Sequence, residues 1–361
     1  MLHAKLSPSG AARRVVCPGS RALEERYPET EDSSYSREGH AAHWVAAARL
    51  KQENIEMIAP NGERVTDDMI DGAQMFFESV SSVRVSLGFP MLYIETPLDI
   101  SNVHPDCWGT PDAWLIKNGE LHLWDYKFGH GYVEVFENWQ LLEYAAGVAR
   151  TNDIEAVTFY IVQPRCYDRR GKVRTWTIDG KRLDGYIAYL RARETLASEE
   201  TAMCHPTPQC KNCRARHACP ALQEYGGQII DVAASNVPLE LRAHEIGHEL
   251  HFIRKAMATL EGRVLGLEEQ AKAMISRGEF VPGFKLEASG GRERWTKSPD
   301  EIITLGELMG LKLGKPPETI TPAQARKLGL DENILKAYSK VYSGALKLVE
   351  AEAARKIFGG E

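Results

Sequence analysis

The sequence predicts a mixed α/β fold followed by a mostly helical region, and three observations predict it. Asn118-Gly119 supplies the two positive-φ positions of a two-residue type I′ turn between β-rich runs, so GTPDAWLIKNGELHLWDYK, residues 109–127, reads as a hairpin. Helix-like runs lie on either side of it, SREGHAAHWVAAARL upstream and WQLLEYAA downstream, and AVTFYIVQP follows as a further strand. Past about residue 226 the composition shifts to helix formers.

Taken in order, the elements are a helix near 36–52, a strand near 91–98, the hairpin, a helix near 137–150 and a strand at 156–164. A charged hairpin with Arg165, Arg169, Arg170, Lys172 and Arg174 comes after the last core strand. Leu239 to Arg277 reads as one or two long helices. Ser298-Pro299-Asp300-Glu301 and Thr321-Pro322-Ala323-Gln324 each carry a capping-box signature with proline just inside the helix start. Between them and the long helices, FVPGFKLEASGGRERWTK reads as a short β excursion with a glycine turn. The expected division is 1–225 and 226–361.

At 361 residues, with 43% hydrophobic and 26% charged residues, the chain has an ordinary globular composition and room for two domains. No run is long enough to cross a membrane, and the N-terminal MLHAKLSPSGAARRVV lacks the apolar core of a signal peptide, so a cytoplasmic protein is expected. Seven cysteines in such a chain favour a metal site over disulfides. A net charge of −6 gives no global footprint for nucleic acid, which leaves that role to local patches: the Arg165–Arg174 hairpin, and Lys211, Arg214 and Arg216.

The hairpin carries the chemistry. A two-residue loop makes Lys117 face Glu120, and counting outward sets Asp112 opposite Asp125 on one face, with Cβ atoms roughly 5 Å apart. Two carboxylates so placed repel each other unless they share a hard divalent cation. Period-2 alternation puts Lys127 on the same face and Tyr126 on the other. Leu121, Leu123, Trp124, Tyr126 and Phe128 make the second strand apolar on both faces, as in a buried strand where charges need partners.

These residues resemble the RecB-like branch of the PD-(D/E)XK nucleases, with GTPD as its second motif and DYK as its third. Gly39 to His43 resembles that branch's GxxxH element and Gln140 to Tyr144 its QxxxY element, with Gln140 and Tyr144 on one helix face. Either short motif arises by chance; their order and spacing carry the resemblance, over roughly the first three-fifths of the chain. It implies a restriction-endonuclease-like αβββαβ core and a Mg²⁺- or Mn²⁺-dependent deoxyribonuclease, more an exonuclease than an endonuclease. It also implies His43, Asp112, Asp125 and the Tyr126 carbonyl as metal ligands, Lys127 as the catalytic lysine, and Gln140 and Tyr144 near the DNA. Glu95, on the preceding strand, is a spare carboxylate for a second ion.

Cys210-x2-Cys213-x5-Cys219, with Cys17 far upstream, brackets this core. Four thiolates suit a [4Fe–4S] cluster or a structural zinc site. The pattern resembles the iron–sulfur staple of AddB-type and CRISPR-associated nucleases, which implies the cluster. Cys204 is a substitute ligand, and Cys107 and Cys166 read as buried thiols. A whole-chain similarity to uncharacterised phage and prophage proteins implies a replication or recombination setting, with DNA and a phage single-strand-binding or recombination protein as partners. Within that setting a DNA-binding structural part is the alternative to a nuclease. A third reading comes from His244-Glu245-Ile246-Gly247-His248, which fits the HExxH pattern of zinc metalloproteases. Its third ligand would have to be Glu268 or Glu269, and a solvated helix face is the simpler account.

Overall fold

The computed structural model describes residues 4–27, 34–233, 241–288, 293–314, 321–341 and 346–350. They fall into two compact units, Met1–Gly266 and Leu267–Glu361. The first contains, in order, α1 (Ala11–Val16), α2 (Ser20–Glu24), α3 (Ser34–Lys51), α4 (Asp67–Ser86), β1 (Leu92–Ile94), β2 (Leu98–Asp99), β3 (Trp108–Gly109), β4 (Ala113–Lys117) and β5 (Glu120–Tyr126). Next come α5 (Trp139–Ala149), β6 (Ala156–Val162), β7 (Val173–Asp179), α6 (Gly180–Ser198), α7 (Pro220–Ala233) and α8 (Ala243–Ser276), whose last residues lie past the division.

A five-stranded mixed sheet of order β1-β4-β5-β6-β7 organises this unit; β5 and β6 are parallel and the other pairs antiparallel. Asn118 and Gly119 sit at φ 50° and 79° and turn β4 into β5 with Lys117 opposite Glu120, as the type I′ geometry requires. Alternate residues then go to two layers. Trp114, Leu121 and Leu123 pack with Leu141, Leu142 and Ala145 of α5 and Leu183 and Leu190 of α6. Ala113, Leu115, Trp124 and Tyr126 pack with Ala42 and Val45 of α3 and Met69 and Phe76 of α4. Each fully buried large side chain here, such as Trp124 or Phe76, contributes about 1.5–3 kcal/mol of apolar burial. Helix starts follow from local caps: Asn138 accepts from the Leu141 amide at 3.2 Å and Asp179 from that of Arg182 at 2.7 Å.

Two sequence expectations are revised. The strand near 91–98 is two: β1 ends at Ile94, Glu95 turns the chain away at φ 47°, and β2 pairs with β3 in a separate two-stranded sheet. The charged hairpin contributes a fifth core strand, β7, beside β6. Residue 225 falls inside α7, and the compact unit runs on to Gly266 because α8 packs closely against the cysteine segment. A Cβ on Gly262 would stand 2.9 Å from Cys210 Cβ, and one on Gly266 2.7 Å from His217 Cα. Leu239 lies outside the described residues, and α8 is one helix from Ala243 on.

The second unit contains β8 (Phe284–Ala288), β9 (Glu293–Trp295), α9 (Pro299–Leu308), α10 (Pro322–Lys327), α11 (Glu332–Tyr338), β10 (Ser339–Val341) and β11 (Leu346–Glu350). Both capping boxes form, Ser298 with Glu301 and Thr321 with Gln324. Its core is Ile302, Leu313, Ala325, Leu330 and Leu335. The β excursion does not close on itself: β8 pairs with β11 and β9 with β10, and its glycine turn lies outside the described residues. The region is therefore helical with two small sheets.

Candidate metal centre and cysteine lobe

The β4–β5 ladder reaches Ala113↔Trp124, which sets Asp112 and Asp125 at its next rung, at the end of the sheet where both helical layers can reach. His43 comes from α3 on one side, and Gln140 and Tyr144 come from α5 on the other. Asp112 Oδ1 is 2.9 Å from His43 Nδ1, and its Oδ2 accepts the Tyr126 amide at 2.6 Å. The Glu95 amide donates to the Asp112 carbonyl at 3.1 Å. One ligand atom from each of His43, Glu95 and Asp112 lies within 4.8 Å of the other two. Asp125 stands beside this group with its Oδ2 3.0 Å from Lys127 Nζ. Lys127 also donates to Gln140 Oε1 at 3.0 Å, and Tyr144 stands one turn further along α5.

The electrostatics are those of a crowded anionic site. Burial pushes the Glu95 carboxyl up to about 7, with Asp112 adding to the shift. Burial likewise raises Asp125, against the pull of Lys127. For Asp112 burial also opposes ionisation, but the His43 charge and hydrogen bond outweigh it, and its pKa falls. Burial disfavours the charged forms of His43 and Lys127, yet the neighbouring carboxylates raise both. A hard divalent cation bound by carboxylate oxygen and imidazole nitrogen would relieve this acid crowding, so the donor set fits Mg²⁺ or Mn²⁺.

The structure thus brings together His43, Asp112, Asp125, Lys127, Gln140 and Tyr144, with one change of grouping. Glu95, expected as a spare ligand for a second ion, sits in the tight group with His43 and Asp112, and Asp125 is outside it. The cause is the positive φ of Glu95, which turns the chain at the end of β1 and sets its amide on Asp112. A non-glycine residue held in this region is a costly conformation often kept at functional sites. Tyr126 turns its ring into the α3/α4 layer, between His43 and Phe76, and offers its amide to Asp112.

Cys17, Cys210, Cys213 and Cys219 line one small cavity of ≈ 20 Å³ together with Cys204, Arg13, Ser20 and His205. The Cys17 sulfur accepts the His205 amide at 3.2 Å and the Cys210 sulfur the Thr207 amide at 3.3 Å. A hydrogen bond from Cys204 lowers Cys17 to about 7 and, in the same way, Cys219 to about 6, while burial pushes Cys213 up to about 12. Cys107 and Cys166 are buried elsewhere.

Cys107 lies beside a buried polar group that the sequence did not reveal. Arg14 of α1 binds Glu194 of α6 at 2.6 Å and Glu143 of α5 at 3.4 Å, all three almost wholly buried. Glu143, three residues after Gln140 on α5, has its pKa raised far above the usual glutamate range: burial is the main cause, Arg14 opposes it, and Glu194 adds to it. A polar residue on an otherwise apolar helix was the available signal.

The basic patches are partly committed to structure. Arg165 binds Glu38 at 2.8 Å and stacks over Phe128 at 4.4 Å, Arg170 and Arg174 lie over Tyr132, and Arg214 is tied to Glu24. The HExxH run forms the first turn of α8, where Glu245 binds Arg242 at 2.6 Å and accepts the Arg242 amide at 2.8 Å. Because α8 is unbroken to Ser276, Glu268 and Glu269 lie about 30 Å along the helix from His248. This corrects the protease reading: Glu245 caps a helix, and no third ligand reaches the histidines from there.

A mixed α/β sheet ending in a histidine, two carboxylates and a lysine-paired aspartate defines an α/β protein with a candidate divalent-cation centre. The chain belongs to the family described as "Protein of unknown function (DUF2800)", whose model matches residues 3–338. Among solved structures it is similar to an alkaline exonuclease (LHK-Exo) from Laribacter hongkongensis, at 14% identity and a TM-score of 0.25 over 52% of this chain and 90% of that one. The same enzyme in complex with dAMP aligns at 16% identity and a TM-score of 0.24, over 52% and 90% of the two chains. A protein titled SSO0001 aligns at 14% identity and a TM-score of 0.25, over 56% of this chain and 94% of that one.

Proposed function

We propose that the protein is a metal-dependent deoxyribonuclease of the exonuclease type, with DNA as its substrate. The observation that carries this reading is the tight His43–Glu95–Asp112 group beside the Asp125–Lys127–Gln140 chain. Bound Mg²⁺ or Mn²⁺ would supply a Lewis acid for the phosphate and a water of lowered pKa. His43, Glu95 and Asp112 would hold the ion, with Asp125 as the adjoining acid. Lys127, fixed between Asp125 and Gln140, keeps its ammonium at the site, where it stabilises charge building on the phosphate. Gln140 orients that lysine, and Tyr144, one turn further along α5, lines the same side.

The cysteine lobe is proposed to hold a [4Fe–4S] cluster through Cys17, Cys213, Cys219 and either Cys210 or Cys204. The convergence of these thiols from both ends of the core on one cavity supports a bound metal group. It would fasten α1 to the segment after α6. Protein purified without oxygen should be brown and contain iron, and Cys213→Ser should bleach it. Stoichiometric zinc without iron would replace the cluster by a zinc staple.

The test of function is cleavage of end-labelled single- and double-stranded DNA with Mg²⁺, with Mn²⁺ and with EDTA. Asp112→Ala, Asp125→Ala and Lys127→Ala should each lower metal-dependent cleavage by about a hundredfold or more while the circular dichroism and melting stay native. Wild-type cleavage in all three under matched metal would overturn the assignment.

A further inference from the structure

Helix α8 carries a second pattern that the metal centre does not use. Ile246, Leu250, Ile253, Met257, Leu260 and Val264 follow one another at spacings of four, three, four, three and four, a heptad seam with Leu250, Met257 and Val264 at a and the others at d. This narrow a/d stripe has the spacing of a seam that packs on a partner helix. The seam is not spent on the chain's own core. Ala256, Thr259 and Gly262, outside the seam, are buried, Gly262 against Cys210. Ile246, Leu250, Ile253, Met257 and Val264 are between 43% and 66% exposed, and Leu260 is half-buried beside Gly226 of α7. So continuous an apolar stripe on a surface marks an association site.

We propose that α8 pairs with the α8 of a second copy of this chain through this seam. The flanking charges favour self-pairing. Glu249 stands at g, and Arg254 and Glu261 at e, alternating in sign along the seam. Two parallel copies set Glu249 against Arg254 of the other, and two antiparallel copies set Arg254 against Glu261 of the other, so each direction matches acid with base. Leucine at a with isoleucine at d suits larger assemblies in free helices. Here Ala256, a g position needed by a third or fourth helix, is already buried in its own subunit, which leaves the exposed a and d positions for one neighbour. The proposal is independent of the metal-site reading, as none of its residues belongs to that site.

The experiment is sedimentation equilibrium of the full chain, with light scattering on a sizing column. The wild type should be a dimer, and Leu250→Glu with Met257→Glu should be a monomer of unchanged circular dichroism and melting, because both side chains are exposed. Arg254→Glu alone should weaken the dimer about tenfold by turning attraction into repulsion on both sides of the symmetric seam. Mixing it with Glu249→Arg should restore association if the helices are parallel, and mixing it with Glu261→Arg should do so if they are antiparallel. A monomeric wild type, a tetramer, association that survives the double glutamate variant, or failure of both mixtures would each overturn the proposal.

Discussion

Lys127 donates from Nζ to Oε1 of Gln140 at 3.0 Å, joining the residue just past β5 to the first turn of α5. The same ammonium pairs with Asp125 at 3.0 Å, so strand and helix together fix where the charge sits.

Gln140→Ala should leave that ammonium paired with Asp125 alone and free to swing. Cleavage should drop about 10- to 100-fold in kcat with little change in KM, because the loss falls on orientation at the reacting phosphate. Steady-state kinetics on a labelled oligonucleotide checks it, and an effect confined to KM would make Gln140 a DNA-binding residue.

Glu95→Gln tests the ligand grouping. It should weaken Mn²⁺ binding in titration calorimetry by about tenfold or more, while Asp125→Asn should weaken it less. The reverse order would restore Asp125 to the ligand set and leave Glu95 outside it.

The buried Glu143 predicts a pH dependence of stability. Its folded pKa is raised far above 4.5, chiefly by burial. Its contribution is therefore fully present below the unfolded value and is lost as pH rises through the folded one. Urea midpoints should fall as pH rises above the ordinary glutamate range. In Glu143→Gln, where the side chain cannot ionise, that decline should be shallower. Equal declines in the two proteins would rule out a proton held at Glu143.

Two glycines of one helix should respond oppositely to alanine. On Gly266 a new Cβ would stand 2.7 Å from His217 Cα, a backbone neighbour that cannot step aside, and the substitution should cost about 1–3 kcal/mol. Gly247 has nothing within 4 Å of that position and should gain up to about 1 kcal/mol in helix propensity. Urea unfolding of both variants measures the contrast.

Much of this was legible in the sequence because short-range chemistry dictated it. Asn118-Gly119 set the register, and the register put Asp112 and Asp125 on neighbouring strands at the sheet's end. The capping boxes at Ser298 and Thr321 did the same for two helices. What escaped depended on distant partners or on conformation. Glu95 entered the tight group through a positive φ that no glycine advertised, and Glu143 has meaning only against Arg14, which comes from the other end of the unit. In α8 the HExxH run reads as a solvated helix face and 239–277 as one or two long helices, and neither pattern points to the seam, although the seam shares Ile246 with the run.

Arg14 waits for Glu194, 180 residues on, and Cys17 for the His205 amide, 188 residues on. A ribosome emitting about 5–20 residues each second would therefore hold α1 without its partners for on the order of ten seconds or more after it emerges. During that interval a cationic side chain destined for the interior and a reactive thiol face the cell unprotected. α1 is made long before the segments that fasten it, so nascent chains stalled ahead of the cysteine segment should be substrates for chaperones and proteases.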